Sequence, residues 1–124
     1  MTDLASLRLR ERSNVVIATV EGEIDVSNTS RLLHELTGAV SNSMHGLLVD
    51  RSDLDFLDSS CVHMLYELAE RLGDRQQRFA VVLPPNRPTR RTIELTGSLA
   101  AEWLYGDQTS ALAALGAGPD GAAA

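Results

Sequence analysis

The residues of this sequence best suited to chemistry lie in one short segment, where an apolar run is followed by carboxylates and then by two serines. The run 47–49 ends at Asp50, and Ser59 and Ser60 stand where a helix is expected to begin. A hydroxyl at a helix start faces free backbone N–H groups and the positive end of the helix dipole, so a phosphate on it would find hydrogen-bond donors within reach. The pattern predicts a solvent-facing serine that can be phosphorylated. A serine that only caps the helix has the same pattern, so this alternative stays open.

Other catalytic and metal-binding chemistries lack the residues that they need. Ser59 and His63 share a helix face, but the Gly-x-Ser-x-Gly nucleophile motif of hydrolases is absent. The histidines show no metal-ligand spacing, and a single cysteine cannot complete a zinc site. Asp50 is placed like the phospho-accepting carboxylate of a receiver domain, but that chemistry uses a lysine and the chain contains none. We therefore predict no enzymatic activity, no bound metal and no cofactor.

Composition limits the partners and the location that we expect. A length of 124 residues fits one domain, and a formal net charge of −6 disfavours binding to nucleic acid or to an anionic membrane. The single cysteine excludes an intramolecular disulfide, and neither a leader pattern nor a spanning apolar stretch is present. We expect a cytoplasmic protein with one domain at 1–116 and a disordered Gly- and Ala-rich tail at 117–124.

Hydrophobic periodicity predicts strands that alternate with helices. Strands are expected at 7–9, 15–20, 47–49, 79–83 and 103–105. Helices are expected after Ser27 or Asn28, from 58 or 59 to about 73, at 87–96, and after Asp107. The order β-β-α-β-α-β-α-β-α predicts an α/β fold with a mixed sheet of four to five strands, mostly parallel, flanked by about four helices. The first two strands, joined by a polar turn at 11–14, are expected to add an antiparallel edge.

The second helix has one apolar stripe and several residues beside it. The stripe is expected to face the core and consists of Cys61, Leu65, Leu68 and Leu72. Met64 and Tyr66 fall off this stripe, and they predict either a partner-binding patch or packing against a neighbouring loop. Cys61 also has two interpretations, a small buried hydrophobe or a thiolate stabilised in the first helical turn.

Three motifs of the sequence resemble the STAS domain family, which includes the anti-sigma factor antagonists. The segment with Asp58, Ser59 and Ser60 is similar to the Asp-Ser-Ser-Gly helix start of the family, which follows a strand that ends in Asp. Gly-Glu-Ile-Asp at 22–25 resembles the Gly-Glu-Leu-Asp turn of the family, and 90–97 resembles its late Arg-x-x-Leu-x-x-x-Gly helix. The motifs occur in family order and span nearly the whole domain. Cys61 departs from the pattern, because the family usually has a glycine there.

The resemblance implies a STAS-type fold and a regulatory mechanism. In such antagonists the serine directly after the Asp, here Ser59, is phosphorylated by a partner that is both anti-sigma factor and serine kinase. The unphosphorylated form captures the anti-sigma factor and frees the sigma factor, and a phosphatase restores the binding form. Partner contacts are expected beside this serine and on the 22–25 turn, from Asp25, Glu23, Asp58, Ser60, Cys61, His63 and Met64. The alternative is a STAS binding subunit of a transport or signalling complex that is not phosphorylated.

Overall fold

The chain folds into a five-stranded sheet with helices on both faces. The computed structural model describes residues 5–52 and 59–116. Within these residues the elements are β1 (Ala5–Arg12), β2 (Val15–Gly22), α1 (Thr29–Ala39), β3 (Gly46–Asp50), α2 (Ser59–Asp74), β4 (Arg78–Val82), α3 (Pro88–Thr96), β5 (Leu104–Tyr105) and α4 (Gln108–Ala114). A 3₁₀ turn at Ala101–Trp103 leads into β5, which is shorter than the strand predicted at 103–105. The predicted disordered tail at 117–124 lies outside the described residues.

The strands lie in the sheet in the same order as in the chain. β1 pairs with β2 antiparallel, and the pairs β2–β3, β3–β4 and β4–β5 are parallel. Each crossover adds its strand on the same side, and such crossovers are right-handed, so α1, α2 and α3 lie on one face of the sheet. The chain then returns through α4 on the other face. The predicted α/β fold, with a mostly parallel mixed sheet and one antiparallel edge, is confirmed.

Side chains that alternate along the central strands supply two buried layers. In β3, Leu47 and Val49 belong to the larger layer, which also contains the apolar stripes of α1 and α2. Leu48 belongs to the smaller layer under α4, together with Leu112. A strand covered on both faces has no solvated side, which explains why 46–50 reads as an unbroken buried run.

The hairpin turn between β1 and β2 is shorter than the sequence predicts. The ladder continues to the pair Arg12 and Val15, so only Ser13 and Asn14 form the turn. Both have positive φ, 51° and 67°, as a two-residue turn of type I′ requires. The polar residues at 11 and 12 therefore belong to the edge strand, where one face is solvated and polarity is no sign of a turn.

Two helix details also differ from the prediction. α2 continues past Gly73 to Asp74, and Gln76 rather than a glycine takes the left-handed position beyond its end. The N–H of Gln77 donates to the Leu72 carbonyl and the N–H of Gln76 to that of Gly73, the bonding pattern of a Schellman end. Ile93 and Leu95 are the apolar positions of the helix predicted at 87–96; Ile93 is buried, but Leu95 is 74% exposed and belongs to the solvent side.

Candidate functional site

Ser59 is the first described residue of α2 and is exposed to solvent. Its helix follows β3 in the chain, so Ser59 lies near the carboxyl ends of the parallel strands, where α/β folds bind their ligands. α2 is held in place by a buried stripe that includes the predicted Cys61, Leu65, Leu68 and Leu72. The predicted exposed serine at a helix start is therefore found in the described structure.

A groove separates the first turns of α2 from the segment that enters α1. Its volume is about 370 Å³, and its walls come from Val26, Thr29, Ser30 and Leu33 on one side and from Ser59, Ser60, His63, Met64 and Glu67 on the other. Val26 at its rim is 83% exposed. The lining of the groove combines the apolar side chains of Val26, Leu33 and Met64 with serine and threonine hydroxyls, so it can take an aliphatic or aromatic side chain of a protein partner while the hydroxyls bind polar groups beside it.

The turn that contains Asp25 is fixed by its own hydrogen bonds. The Asn28 side chain is buried, accepts from the Asp25 backbone N–H at 3.0 Å and donates to the Glu23 carbonyl at 3.0 Å. The Asp25 carboxylate accepts from the hydroxyl of Ser27 and, at 2.8 Å, from its backbone N–H. The hydroxyl bond, followed by the backbone bond, lowers the pKa of Asp25 below its ordinary value. Asp25 therefore helps to shape the turn as well as standing on its surface.

Arg51 connects this turn to the strand that precedes Ser59. Its side chain is 2% exposed, and its guanidinium donates to the backbone carbonyls of Val20 and Gly22 at the end of β2. Its own backbone N–H donates to Val82 in the neighbouring strand at 3.0 Å. Sequence reasoning missed this residue, because an arginine in an acidic loop reads as solvated. The signal that was available is its position directly after a fully buried strand.

Asp50 serves a different face of the sheet. It is mostly buried, and one carboxylate oxygen accepts from the backbone N–H of Ser52 at 2.9 Å. The other oxygen accepts from the side chain of Gln108 in α4 at 2.6 Å. α4 covers the face opposite α1 and α2, so Asp50 faces away from Ser59. Its described role is to join the end of β3 to α4.

The structure places the predicted site residues at different depths. His63 is on the surface, with its side chain 82% exposed, and Ser60 is half-buried in the groove wall. Cys61 is buried at 1% exposure, which confirms the small-hydrophobe interpretation and removes it from the accessible surface. Met64 is 2% exposed, so it belongs to the core stripe and not to the predicted patch, and only its edge reaches the groove.

The remaining residues singled out in the sequence are Tyr66, Glu23 and Asp58. Tyr66 is 43% exposed and packs edge-on against Trp103, with ring centroids 4.7 Å apart. Glu23 is exposed beside Asp25, and Asp58 lies outside the described residues. Among the residues of 5–52 and 59–116, no cluster of three His, Cys, Asp or Glu side chains could hold a metal ion.

A further finding concerns membranes. In the part of the chain that the structure describes, no helix is both long and apolar enough to cross a bilayer.

Comparison with known proteins decides the family. The model of the STAS domain family matches residues 6–111, nearly the whole described fold. The chain belongs to the STAS domain family. This STAS domain is 27% identical over 95 residues to the anti-sigma-F factor antagonist RsfB of Mycobacterium tuberculosis, which covers 77% of this chain and 76% of RsfB.

Solved structures agree with this assignment. The crystal structure of an anti-sigma factor antagonist from Mycobacterium paratuberculosis is 32% identical, with a TM-score of 0.73 over 90% of this STAS domain and 93% of the other chain. The antagonist SpoIIAA in its unphosphorylated form has a TM-score of 0.64 at 18% identity, over 85% and 90% of the two chains. The second likeness is one of fold. The first, together with RsfB, shows that the similarity of this STAS domain extends to the sequences of anti-sigma factor antagonists.

Proposed function

We propose that this STAS domain is an anti-sigma factor antagonist, which binds an anti-sigma factor with serine kinase activity and is released when that kinase phosphorylates Ser59. The observation that carries the proposal is the position of Ser59, which is exposed in the first turn of α2 and lines the groove between α1 and α2. A kinase can reach the hydroxyl there, and a phosphate would lie where the partner docks. The family and its antagonists at 27% and 32% identity support the same function.

The electrostatics support release after phosphorylation. A phosphoserine carries about −1.5 to −2 charges at neutral pH. The chain already has a formal net charge of −6, so its partner must be complementary to an acidic surface. A phosphate dianion inside the groove would add negative charge for which that partner has no matching group. The helix start can hold the phosphate without unfolding α2. The switch then acts by charge and bulk at the interface.

The proposed partner surface unites two sequence motifs. The groove has Ser59, Ser60, His63 and the edge of Met64 on one wall, and the 22–25 turn with Glu23 and Asp25 lies next to its other wall, which begins at Val26. Arg51 holds the end of β2, where the 22–25 turn begins, by its bonds to Val20 and Gly22. We propose that Glu23 and Asp25 also contact the partner. In this function the protein acts in the cytoplasm by binding, without catalysis, and a phosphatase resets Ser59.

Substitution at Ser59 tests the proposal. Ser59→Ala should bind the anti-sigma kinase, resist phosphorylation and release sigma factor constantly. Ser59→Asp keeps a side chain that suits a helix start, so it should fold well but bind about tenfold or more weakly, because an uncompensated charge at an interface costs about 2 to 5 kcal/mol. The measurement is a binding titration of each variant against the captured partner, with melting curves for each protein.

The matched control is Ser110→Asp, which adds the same charge to the first turn of α4 on the opposite face of the sheet. It should bind like the wild type, so that a loss specific to Ser59→Asp cannot be an effect of net charge. Equal binding by Ser59→Asp and the wild type, with no modification of Ser59 after incubation with ATP and partner, would replace the phospho-switch by a STAS binding subunit that is not phosphorylated.

A further inference from the structure

One face of α2 carries a row of side chains that continues the Ser59 position along the helix. Ser59, His63, Glu67 and Arg71 follow one another at intervals of four, the spacing at which helical side chains are neighbours. The Arg71 guanidinium lies 3.2 Å from one Glu67 oxygen, and the His63 Nε2 lies 3.8 Å from the other. Glu67 and Arg71 carry opposite charges, His63 adds a cation to the row only when its imidazole is protonated, and Ser59 at the first position has no charge.

His63 is placed to serve either neighbour. Side chains of a helix lean toward its N-terminus, so a residue covers the surface over the preceding turn, and for His63 this is the turn of Ser59. Both residues line the groove against α1, and both line a second cavity of about 490 Å³ against α3. The His63 side chain is largely exposed, and its separation from Glu67 is long for an ion pair. Little therefore holds the imidazole in that position.

We infer that His63 is the residue that holds the phosphate of phosphorylated Ser59, by turning from Glu67 to the neighbouring position one turn earlier. Glu67 keeps its partner Arg71, so the move leaves no carboxylate unpaired in the row. With a protonated imidazole, the charges of the row then alternate from Ser59 to Arg71. This role rests on the proposed function and deepens it. His63 fixes the phosphate between the two cavities that both residues line, and so keeps it at the proposed partner surface.

Few charged groups among the described residues surround His63. Of the described residues around its cavities, the charged side chains are Glu67 and Glu70, both on α2. The groups facing it from α1 are Thr29, Ser30 and Leu33, and from α3 and its following loop Thr92 and Ser98, none of which is charged. A phosphate monoester ionises a second time at about pH 6, and a protonated imidazole beside it would favour the dianion.

The test uses protein in which phosphoserine is built into position 59 during translation, so that it needs no kinase. The ³¹P resonance is followed against pH in the wild type, His63→Gln and His63→Arg. Because a nearby cation favours the dianion, the midpoint of the second phosphate ionisation should lie about half a pH unit lower in the wild type than in His63→Gln, the size expected of an exposed ion pair. His63→Arg should restore the lower midpoint.

The matched control is His34→Gln, which removes an exposed histidine of α1 that does not line the groove. It should leave the midpoint where it is in the wild type. Identical midpoints in the wild type and His63→Gln would overturn the inference. Failure of the proposed function would show differently, as an anti-sigma kinase that neither binds the protein nor modifies Ser59, whatever the ³¹P titration gives.

Discussion

At the scale of single residues, Arg51 links the two segments on which partner binding is proposed to depend. It follows β3 directly, and its guanidinium is buried against the carbonyls of Val20 and Gly22 where the 22–25 turn begins. A charged donor that bonds two backbone carbonyls supplies a strong partner to the polar groups at the end of β2. The position of the turn relative to the end of β3 therefore depends on a side chain outside all three family motifs.

Replacing Arg51 should destabilise the domain strongly. In Arg51→Met the apolar volume is kept, but the Val20 and Gly22 carbonyls lose this donor, and a buried unsatisfied group such as the Val20 carbonyl costs about 1 to 3 kcal/mol. We expect the free energy of unfolding in urea to fall by about 2 to 4 kcal/mol. Arg51→Lys should have a free energy of unfolding between those of the wild type and Arg51→Met, because an ammonium group replaces only part of the hydrogen bonding of the guanidinium. A Met variant as stable as the wild type would mean that water replaces the guanidinium.

At the scale of elements, the β1–β2 hairpin shows strain that the sequence could relieve. Ser13 and Asn14 both adopt left-handed backbone conformations, and only the second is a residue type that tolerates them well. The Asn14 carbonyl also accepts from the N–H of His45 at 2.7 Å, which ties the turn to the loop before β3. The turn is therefore fixed by tertiary contact in spite of its local preference.

An Asn-Gly turn should stabilise this hairpin. The double change Ser13→Asn with Asn14→Gly matches the residue preference of a type I′ turn and keeps the backbone carbonyl at 14. We expect the free energy of unfolding to rise by about 0.5 to 1 kcal/mol in urea denaturation. Asn42→Gly is the matched control: its residue is not among those with positive φ, so the glycine should give no gain. A destabilised double variant would show that the Ser13 side chain contributes contacts of its own.

At the scale of the whole molecule, the sheet separates the layer that carries the proposed partner surface from the layer of α4. The groove and Ser59 lie on the face covered by α1 and α2, whereas α4 covers the other face with a smaller cluster that includes Leu112. The sheet between them is buried on both sides in β3. Stability and partner binding should therefore be separable by the choice of layer.

Truncation in the α4 layer should test this separation. Leu112→Ala removes buried methyl groups from the smaller cluster and should lower the free energy of unfolding by about 2 to 3 kcal/mol. Leu36→Ala in the larger cluster should cost more, about 3 to 5 kcal/mol, because its site is completely enclosed. Under conditions in which the Leu112→Ala variant is still folded, it should bind the proposed partner with wild-type affinity. Weakened binding in this folded variant would show that the α4 layer is coupled to the Ser59 site.

The sequence alone determined the order and type of the elements and the place of Ser59. Strand and helix periodicities are local, so the runs at 15–20, 47–49 and 79–83 and the stripe of α2 could be recognised without knowing what they pack against. The Gly97 end of α3 and the Asp107 cap of α4 are local as well, since each satisfies backbone groups of its own helix.

Only the tertiary structure decided which neighbours cover each face. Helical spacing gives the residues that share a side, but the width of the buried stripe depends on the facing helix, and the closeness of α1 is what buries Met64. Tyr66 and Leu95 remain exposed because no neighbouring element covers them completely. The position of Arg51 after a buried strand indicates burial, but its two carbonyl partners could not be predicted because they lie 31 and 29 residues earlier in the chain. Its desolvation is favourable only where the fold brings unpaired carbonyls within reach of a charged donor, and no local pattern records that distance.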